Sequence, residues 1–274
     1  MPMKIPEDIK ALILDMDGVL WRGEEAIGDL PAIFDTITKR GLKVILATNN
    51  STRSPEAHLE KLSKFDVKLD VSQITTSSMA LAALLKEAFP KGGDLYIIGM
   101  EGLFRAVEAE GFRAFSGDEL PEKPVAVLAG MDWKMDYQKI ANASLFIQKG
   151  APFYATNPDK TYPTPEGLMP GAGTLLAAVE TASGVAPIVA GKPEAYLFQL
   201  AMQRMGVSPE ETLVVGDRLE TDILGGQNAG CKTALVLSGV TTRERGEAWM
   251  PKVDFIAGNL GEFLGIRKQG LGIG

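Results

Sequence analysis

Short apolar runs alternate with longer amphipathic stretches along most of this chain. Residues 11–14 (Ala-Leu-Ile-Leu) are apolar without interruption and read as a strand buried on both faces. Residues 27–40 place Ile33, Phe34 and Ile37 on one face before Gly41, the pattern of an amphipathic helix with a stop. Residues 42–47 form a second strand, and Ser54-Pro55-Glu56 opens a helix that carries His58 at a surface position beside Glu56 and Glu60. A strand, helix, strand, helix series implies a parallel sheet.

The series then repeats. Helices are expected over residues 79–88, 103–110, 137–149 and 174–181, and strands over 95–98, 125–129 and 152–156. Residues 157–173, rich in proline and glycine, read as a long loop, a feature that often serves function. The last third returns to the first pattern, with strands over 187–190, 212–215 and 234–237 and a short one at Phe255-Ile256. Between them, residues 195–205 form a helix whose Leu197, Leu200, Ala201 and Met205 make a core stripe. The chain thus predicts an α/β protein: a Rossmann-like parallel-sheet core with a second, smaller α/β domain.

Composition narrows the chemistry. The 274 residues suggest two domains, and a net charge of −7 argues against a nucleic-acid surface. A phosphorylated substrate stays open, since a local metal overrides the global charge. The single cysteine, Cys231, excludes an internal disulfide framework and fits a reducing compartment; its place between a glycine and a strand suggests packing. The amino terminus shows no apolar signal region, and no apolar run reaches the ~20 residues of a membrane span. A cytoplasmic location, with no membrane partner, is the expectation.

Polar groups gather at the expected strand ends: Asp15 and Asp17, Thr48 to Asn50, Lys192, and Asp217 with Asp222. In a parallel sheet with right-handed crossovers such ends share one edge, where ligands bind. Asp15 and Asp17, with Gly18 behind them, call for a cation, and Asp15 can also act as a nucleophile. Magnesium favours oxygen donors of this kind. Lys192 can balance negative charge, and Thr48 and the Asn49 amide can hydrogen-bond phosphoryl oxygens. Blander roles compete: Asp222 can cap a helix starting near Ile223, and Asn157 and Asp159, beside Pro158, can simply form a turn.

Asp15-Met16-Asp17-Gly18-Val19-Leu20, Thr48-Asn49-Asn50, Gly191-Lys192-Pro193 and Gly216-Asp217 with Thr221-Asp222 resemble, in order, the four motifs of haloacid dehalogenase superfamily phosphatases. An α/β segment inserted between motifs two and three is similar to the NagD-like, p-nitrophenyl phosphatase branch. Ala155 to Asp159, Pro170 to Gly173 and Ser238 to Thr242 add to the likeness. The resemblance implies a core of residues 1–77 and 183–274 with an α/β cap of 78–182. It implies a magnesium-dependent phosphatase of small phosphorylated metabolites, of the sugar phosphate, nucleotide, phosphoglycolate or p-nitrophenyl phosphate type, working through an aspartyl-phosphate. Asp15 matches the nucleophile and a metal ligand. Asp17 matches the general acid, with its main chain on the metal, and Asp217 matches a direct ligand. Asp222 is expected to hold a metal-bound water or Lys192. Thr48, Asn49, Asn50 and Lys192 are expected to bind phosphate, and Asn157, Asp159 and Tyr162 to contact the leaving part of the substrate. A dehalogenase, a phosphomutase and a phospholigand-binding regulator are the rival readings; the acid at Asp17 weighs against the first, the α/β rather than smaller helical cap against the second, and the four intact motifs against the third. The branch often dimerises through its cap, which leaves a homodimer among the open oligomeric states.

Overall fold

The computed structural model describes residues 5–164 and 166–266. The chain divides into two compact units, Met1–Ala47, Leu59–Gln73 and Ala201–Gly274 in one, and Thr48–His58 and Ile74–Leu200 in the other. These bounds group residues 48–58, 74–77 and 183–200 with the second unit, apart from the expected division at 77/78 and 182/183.

In the first unit a parallel sheet runs in the order Phe255–Ala257, Lys232–Val236, Thr212–Gly216, Ala11–Leu14, Lys43–Thr48. Ala11 to Leu14 are wholly buried, as a parallel strand covered on both faces must be. Leu14 pairs with Val215, so Asp15, directly after its strand, and Asp217, after Gly216, leave the sheet at the same edge. The helix Leu30–Lys39 buries Leu30, Ile33, Phe34 and Ile37, the expected face. Asp29 caps it by accepting from the Ala32 N–H at 3.0 Å, worth about 1 kcal/mol.

In the second unit a parallel sheet runs Ile188–Val189, Phe153–Ala155, Ala126–Ala129, Asp94–Ile98, Arg113–Phe115. Alternate residues of three strands (Tyr96 and Ile98, Val127 and Ala129, Phe153 and Ala155) share one face and pack with Ala143, Ile147, Leu176 and Val179. Those four come from the helices Tyr137–Gln148 and Ala172–Ser183. Among the described residues no helix is long and apolar enough to cross a membrane.

Four local expectations change. The long loop holds an antiparallel hairpin, Thr161–Thr164 with Gly167–Pro170; Pro163 and Pro170 lie within its register, opposite Leu168 and Thr161, and proline in a sequence signals a loop rather than a strand. Arg113–Phe115 is a short edge strand between Gly111 and Gly117, too brief to stand out by periodicity. His58 is not a surface residue: it is 5% exposed, one turn ahead of the buried Leu62 on the covered face of the helix Pro55–Ser63. In the helix Tyr196–Met205, Phe198 and Met202 join the buried stripe while Leu200 is only half-buried.

Candidate active site

Three carboxylates meet at the carboxyl edge of the first sheet. Asp15 follows Ala11–Leu14, Asp217 follows Thr212–Gly216, and Asp222 lies in the π-helical turn Leu219–Ile223. One carboxylate oxygen from each lies within 4.8 Å of the others. Asp217 and Asp222 are 2% exposed. Two full charges at that separation repel by about 3 kcal/mol at an effective dielectric of about 20, so a cation is the natural complement. The donors are all hard oxygens, the chemistry that suits magnesium.

Glycines make this crowding possible. A Cβ on Gly239 would fall 1.8 Å from Asp217 Oδ2 and 2.4 Å from its Cβ, and one on Gly18 would lie 2.6 Å from Asp217 Cγ. A Cβ on Gly216 would fall 2.1 Å from that of Asp222. Asp217 Oδ2 accepts from the Val240 N–H at 2.9 Å, and Asp222 Oδ2 accepts from the Arg218 N–H at 3.1 Å. Asp222 therefore closes its own turn rather than capping a helix from outside. Ser238 Oγ donates to the Gly18 carbonyl at 2.7 Å, tying the loop after Lys232–Val236 to the loop after Ala11–Leu14.

Asp17 is exposed, yet its direction is fixed. Trp21 Nε1 donates to Asp17 Oδ1 at 2.9 Å. Gly18, at φ +85, lets the chain fold back so that its own N–H donates to the Trp21 carbonyl at 2.8 Å. The indole is 1% exposed, stacks on Phe65 with ring centroids 6.0 Å apart, and lies 4.6 Å below the Lys61 ammonium. An immobile donor holds the Asp17 carboxyl at the rim of the carboxylate cluster's own loop.

A second cluster forms within the second unit. Thr48 is buried, and its Oγ1 accepts from the Asn50 N–H at 3.1 Å. The Asn50 side chain accepts from Thr52 N–H and hydroxyl at 2.9 and 2.7 Å. The Asn49 amide meets the backbone of Lys192 and the carboxylate of Asp159. Lys192 is 2% exposed, and the Lys192–Pro193 peptide is cis. Asn157 is buried; its Nδ2 donates to the Asn49 carbonyl at 2.9 Å and its Oδ1 accepts from the Asp159 N–H at 3.2 Å. Tyr162 sits half-buried on the hairpin, opposite Met169. Asp15, Asp217 and Asp222 are thus brought together, as are Asn49, Asn157, Asp159 and Lys192.

Several neighbours escape a reading of the sequence. Trp21, four residues after Asp17, looks like core filling, and only its ring N–H marks it as a partner. Gly239 and Val240 follow a strand as any turn might, and nothing in their order points to Asp217. Cys231 is buried, and burial pushes its thiol up to about 12, in keeping with a packing role.

A family model described as haloacid dehalogenase-like hydrolase matches residues 12–113, and a second, HAD-hydrolase-like, matches 189–263. The chain is 37% identical over 255 residues to the 5′-nucleotidase YutF of Bacillus subtilis, covering 93% of this chain and 97% of that protein. Among solved structures, the 4-nitrophenylphosphatase of Thermotoga maritima superposes with a TM-score of 0.87 at 31% identity, over 95% of this chain and 98% of that one. The glycerol phosphate phosphatase of Mycobacterium tuberculosis, solved in complex with magnesium, gives 0.86 at 32% identity, over 94% and 77%.

Proposed function

The chain belongs to the haloacid dehalogenase-like hydrolases, and from that premise we propose that it is a magnesium-dependent phosphatase of small phosphomonoesters. The observation that carries the reading is the carboxylate cluster of Asp15, Asp217 and Asp222, with Asp17 held two residues from Asp15 by a fixed indole donor. The relatives named above are a 5′-nucleotidase, a 4-nitrophenylphosphatase and a glycerol phosphate phosphatase, which supports the same class.

Asp15 and Asp217 would hold the metal directly, together with the Asp17 carbonyl. The Asp222 carboxylate, with an oxygen within 4.8 Å of theirs, would hold a water on that metal. A magnesium ion there supplies charge neutralisation for the transferring phosphoryl group. An Asp15 carboxylate oxygen attacks phosphorus, the bond to the leaving oxygen breaks, and that oxygen takes the proton of the Asp17 carboxyl. Water then gives a proton to the Asp17 carboxylate and attacks the phosphorus of the aspartyl-phosphate, releasing inorganic phosphate and Asp15. The family likeness assigns the phosphoryl oxygens to the Thr48 hydroxyl, the Lys192 ammonium and the Asn49–Asn50 segment. It assigns contact with the leaving group to Asn157, Asp159 and Tyr162. We place the covalent chemistry in residues 1–77 and 183–274 and substrate selection in 78–182.

The substrate class is one of sugar phosphates, nucleotides, phosphoglycolate or glycerol phosphate. The test is phosphate release from p-nitrophenyl phosphate with magnesium, followed by a panel of these metabolites ranked by kcat/KM. The wild-type protein should turn over with magnesium and stop with EDTA. Turnover that persists in Asp15→Asn would refute the nucleophile assignment.

A further inference from the structure

The side-chain amide of Asn49 is committed at every atom it can offer. Its Oδ1 accepts from the Lys192 N–H at 2.8 Å, and its Nδ2 donates to the Lys192 carbonyl at 3.0 Å and to Asp159 Oδ2 at 3.0 Å. A carboxamide has one acceptor oxygen and two N–H donors, and both donors are in use. The pattern also settles its orientation, since a flipped amide would set an N–H against the Lys192 N–H and an oxygen against the Asp159 carboxylate. Asn49 is itself fixed: its carbonyl accepts from Ser77 Oγ at 2.8 Å and Asn157 Nδ2 at 2.9 Å. Gly191 admits the arrangement, because a Cβ there would lie 2.7 Å from Asn49 Oδ1 and 2.3 Å from the Thr156 carbonyl.

We propose that Asn49 is a positioning residue for Lys192, and that Asp159 acts through Asn49 rather than on the substrate. One side chain grips both polar atoms of the Lys192 backbone, which sets where a buried ammonium begins its reach. The Asp159 carboxylate orients that same amide. Lys192 and the segment that leads into the hairpin Thr161–Thr164 therefore hold a common position. The proposal rests on the reading of Lys192 as a phosphoryl-holding group. It moves the Asn49 amide and Asp159 from substrate contact to alignment of the lysine.

The test combines hydrogen exchange at the Lys192 amide with steady-state kinetics on p-nitrophenyl phosphate and magnesium. The proteins are the wild type, Lys192→Ala, Asn49→Ala, Asn49→Asp, and Asn49→Asp combined with Asp159→Asn. Asn49→Ala should speed exchange at Lys192 by about tenfold or more, as an N–H that loses its acceptor does. Its kcat should fall about 10- to 100-fold, with KM changing much less, as expected for a misplaced catalytic group. Asn49→Asp keeps the acceptor for the Lys192 N–H but faces a second carboxylate. Exchange should stay near the wild-type rate while kcat falls, and Asp159→Asn should restore part of it by supplying the missing donor. Packing damage alone would show no such recovery. Unchanged exchange in Asn49→Ala overturns the backbone grip. A near-wild-type kcat there, with Lys192→Ala inactive, overturns the positioning role. A wild type that releases no phosphate overturns the phosphatase reading, and exchange then still decides the grip. If Asn49→Ala does not fold, the paired Asp variants decide: absence of recovery overturns the proposal.

Discussion

Gly239→Ala is the sharpest test of the carboxylate cluster, because a single methyl would land on Asp217. The added carbon would stand 1.8 Å from Asp217 Oδ2 and 2.4 Å from its Cβ, against ordinary contact from 3.4 Å. Turning the carboxylate clears the first clash and leaves the second, which is about 1.0 Å too close. Either the Asp217 backbone shifts by that amount, or the loop carrying residue 239 withdraws. Withdrawal breaks the Val240 N–H bond to Asp217 and the Ser238 bond to the Gly18 carbonyl, at about 1–3 kcal/mol for the charged one and about 1 kcal/mol for the other. Both routes move or loosen the Asp217 carboxylate. A misplacement of about 1 Å costs on the order of 100-fold, close to 2.7 kcal/mol in the barrier. We therefore expect kcat/KM for p-nitrophenyl phosphate to fall about 100-fold and the half-activating magnesium concentration to rise several-fold. The melting temperature should fall by roughly 4–12 °C if the loop yields and less if Asp217 does. Activity within threefold of wild type, at an unchanged magnesium requirement, would refute the argument that Gly239 exists to make room for Asp217.

Further outcomes follow from other contacts. Asp15→Asn should abolish turnover with circular dichroism and melting unchanged, read by phosphate release. EDTA should stop the reaction and added magnesium restore it; if the metal sits on the cluster, magnesium should also raise the melting temperature of the wild type more than that of Asp217→Asn. Trp21→Phe keeps a ring against Phe65 and removes only the N–H donated to Asp17; kcat should fall about tenfold while KM holds, and an unchanged kcat would detach Trp21 from the chemistry. Lys139→Met breaks the ion pair between the half-buried Lys139 and the buried Asp132 (2.7 Å) and should destabilise the protein by about 1–3 kcal/mol in chemical denaturation, with no measurable loss showing that the charge is solvated. Cys231, its thiol pushed up to about 12 by burial, stays protonated at pH 8, so iodoacetamide should neither label nor inactivate the native protein there.

The parallel sheets were legible because a strand buried on both faces leaves an unbroken apolar run, as residues 11–14 and 212–215 do. Asp15 and Asp217 were legible for a related reason: a carboxylate placed at the end of such a run has no role in a core. What stayed hidden depends on partners far away in sequence. Ser238 reaches Gly18 across 220 residues, and no local pattern encodes that meeting. The hairpin Thr161–Thr164 with Gly167–Pro170 was hidden by its own composition, since proline reads as a loop signal wherever it falls. His58 misled because neighbouring glutamates make its helix look solvated, whereas an inward histidine has the size and polarity to be tolerated in a covered position.

The glycines give the same lesson from the other side. In sequence they all read as punctuation, yet they divide into two physical kinds. Gly23, Gly41 and Gly117 have positive φ and open space around the missing Cβ, so they serve the turn itself. Gly216 and Gly239 in the first unit, and Gly102, Gly130 and Gly191 in the second, have no such φ; each instead stands where a Cβ would strike a polar group within 3 Å. Those groups are Asp222 and Asp217 in the first unit, and the Ser51 and Arg53 carbonyls, Thr156 and Asn49 in the second. Polar residues at strand ends can be both buried and close together only if something between them is small. Asparagine, which tolerates positive φ, should therefore be accepted at the first kind of position. Alanine, which does not need positive φ, should still fail at the second, and the contrast separates a glycine kept for its backbone from one kept for its absence of a side chain.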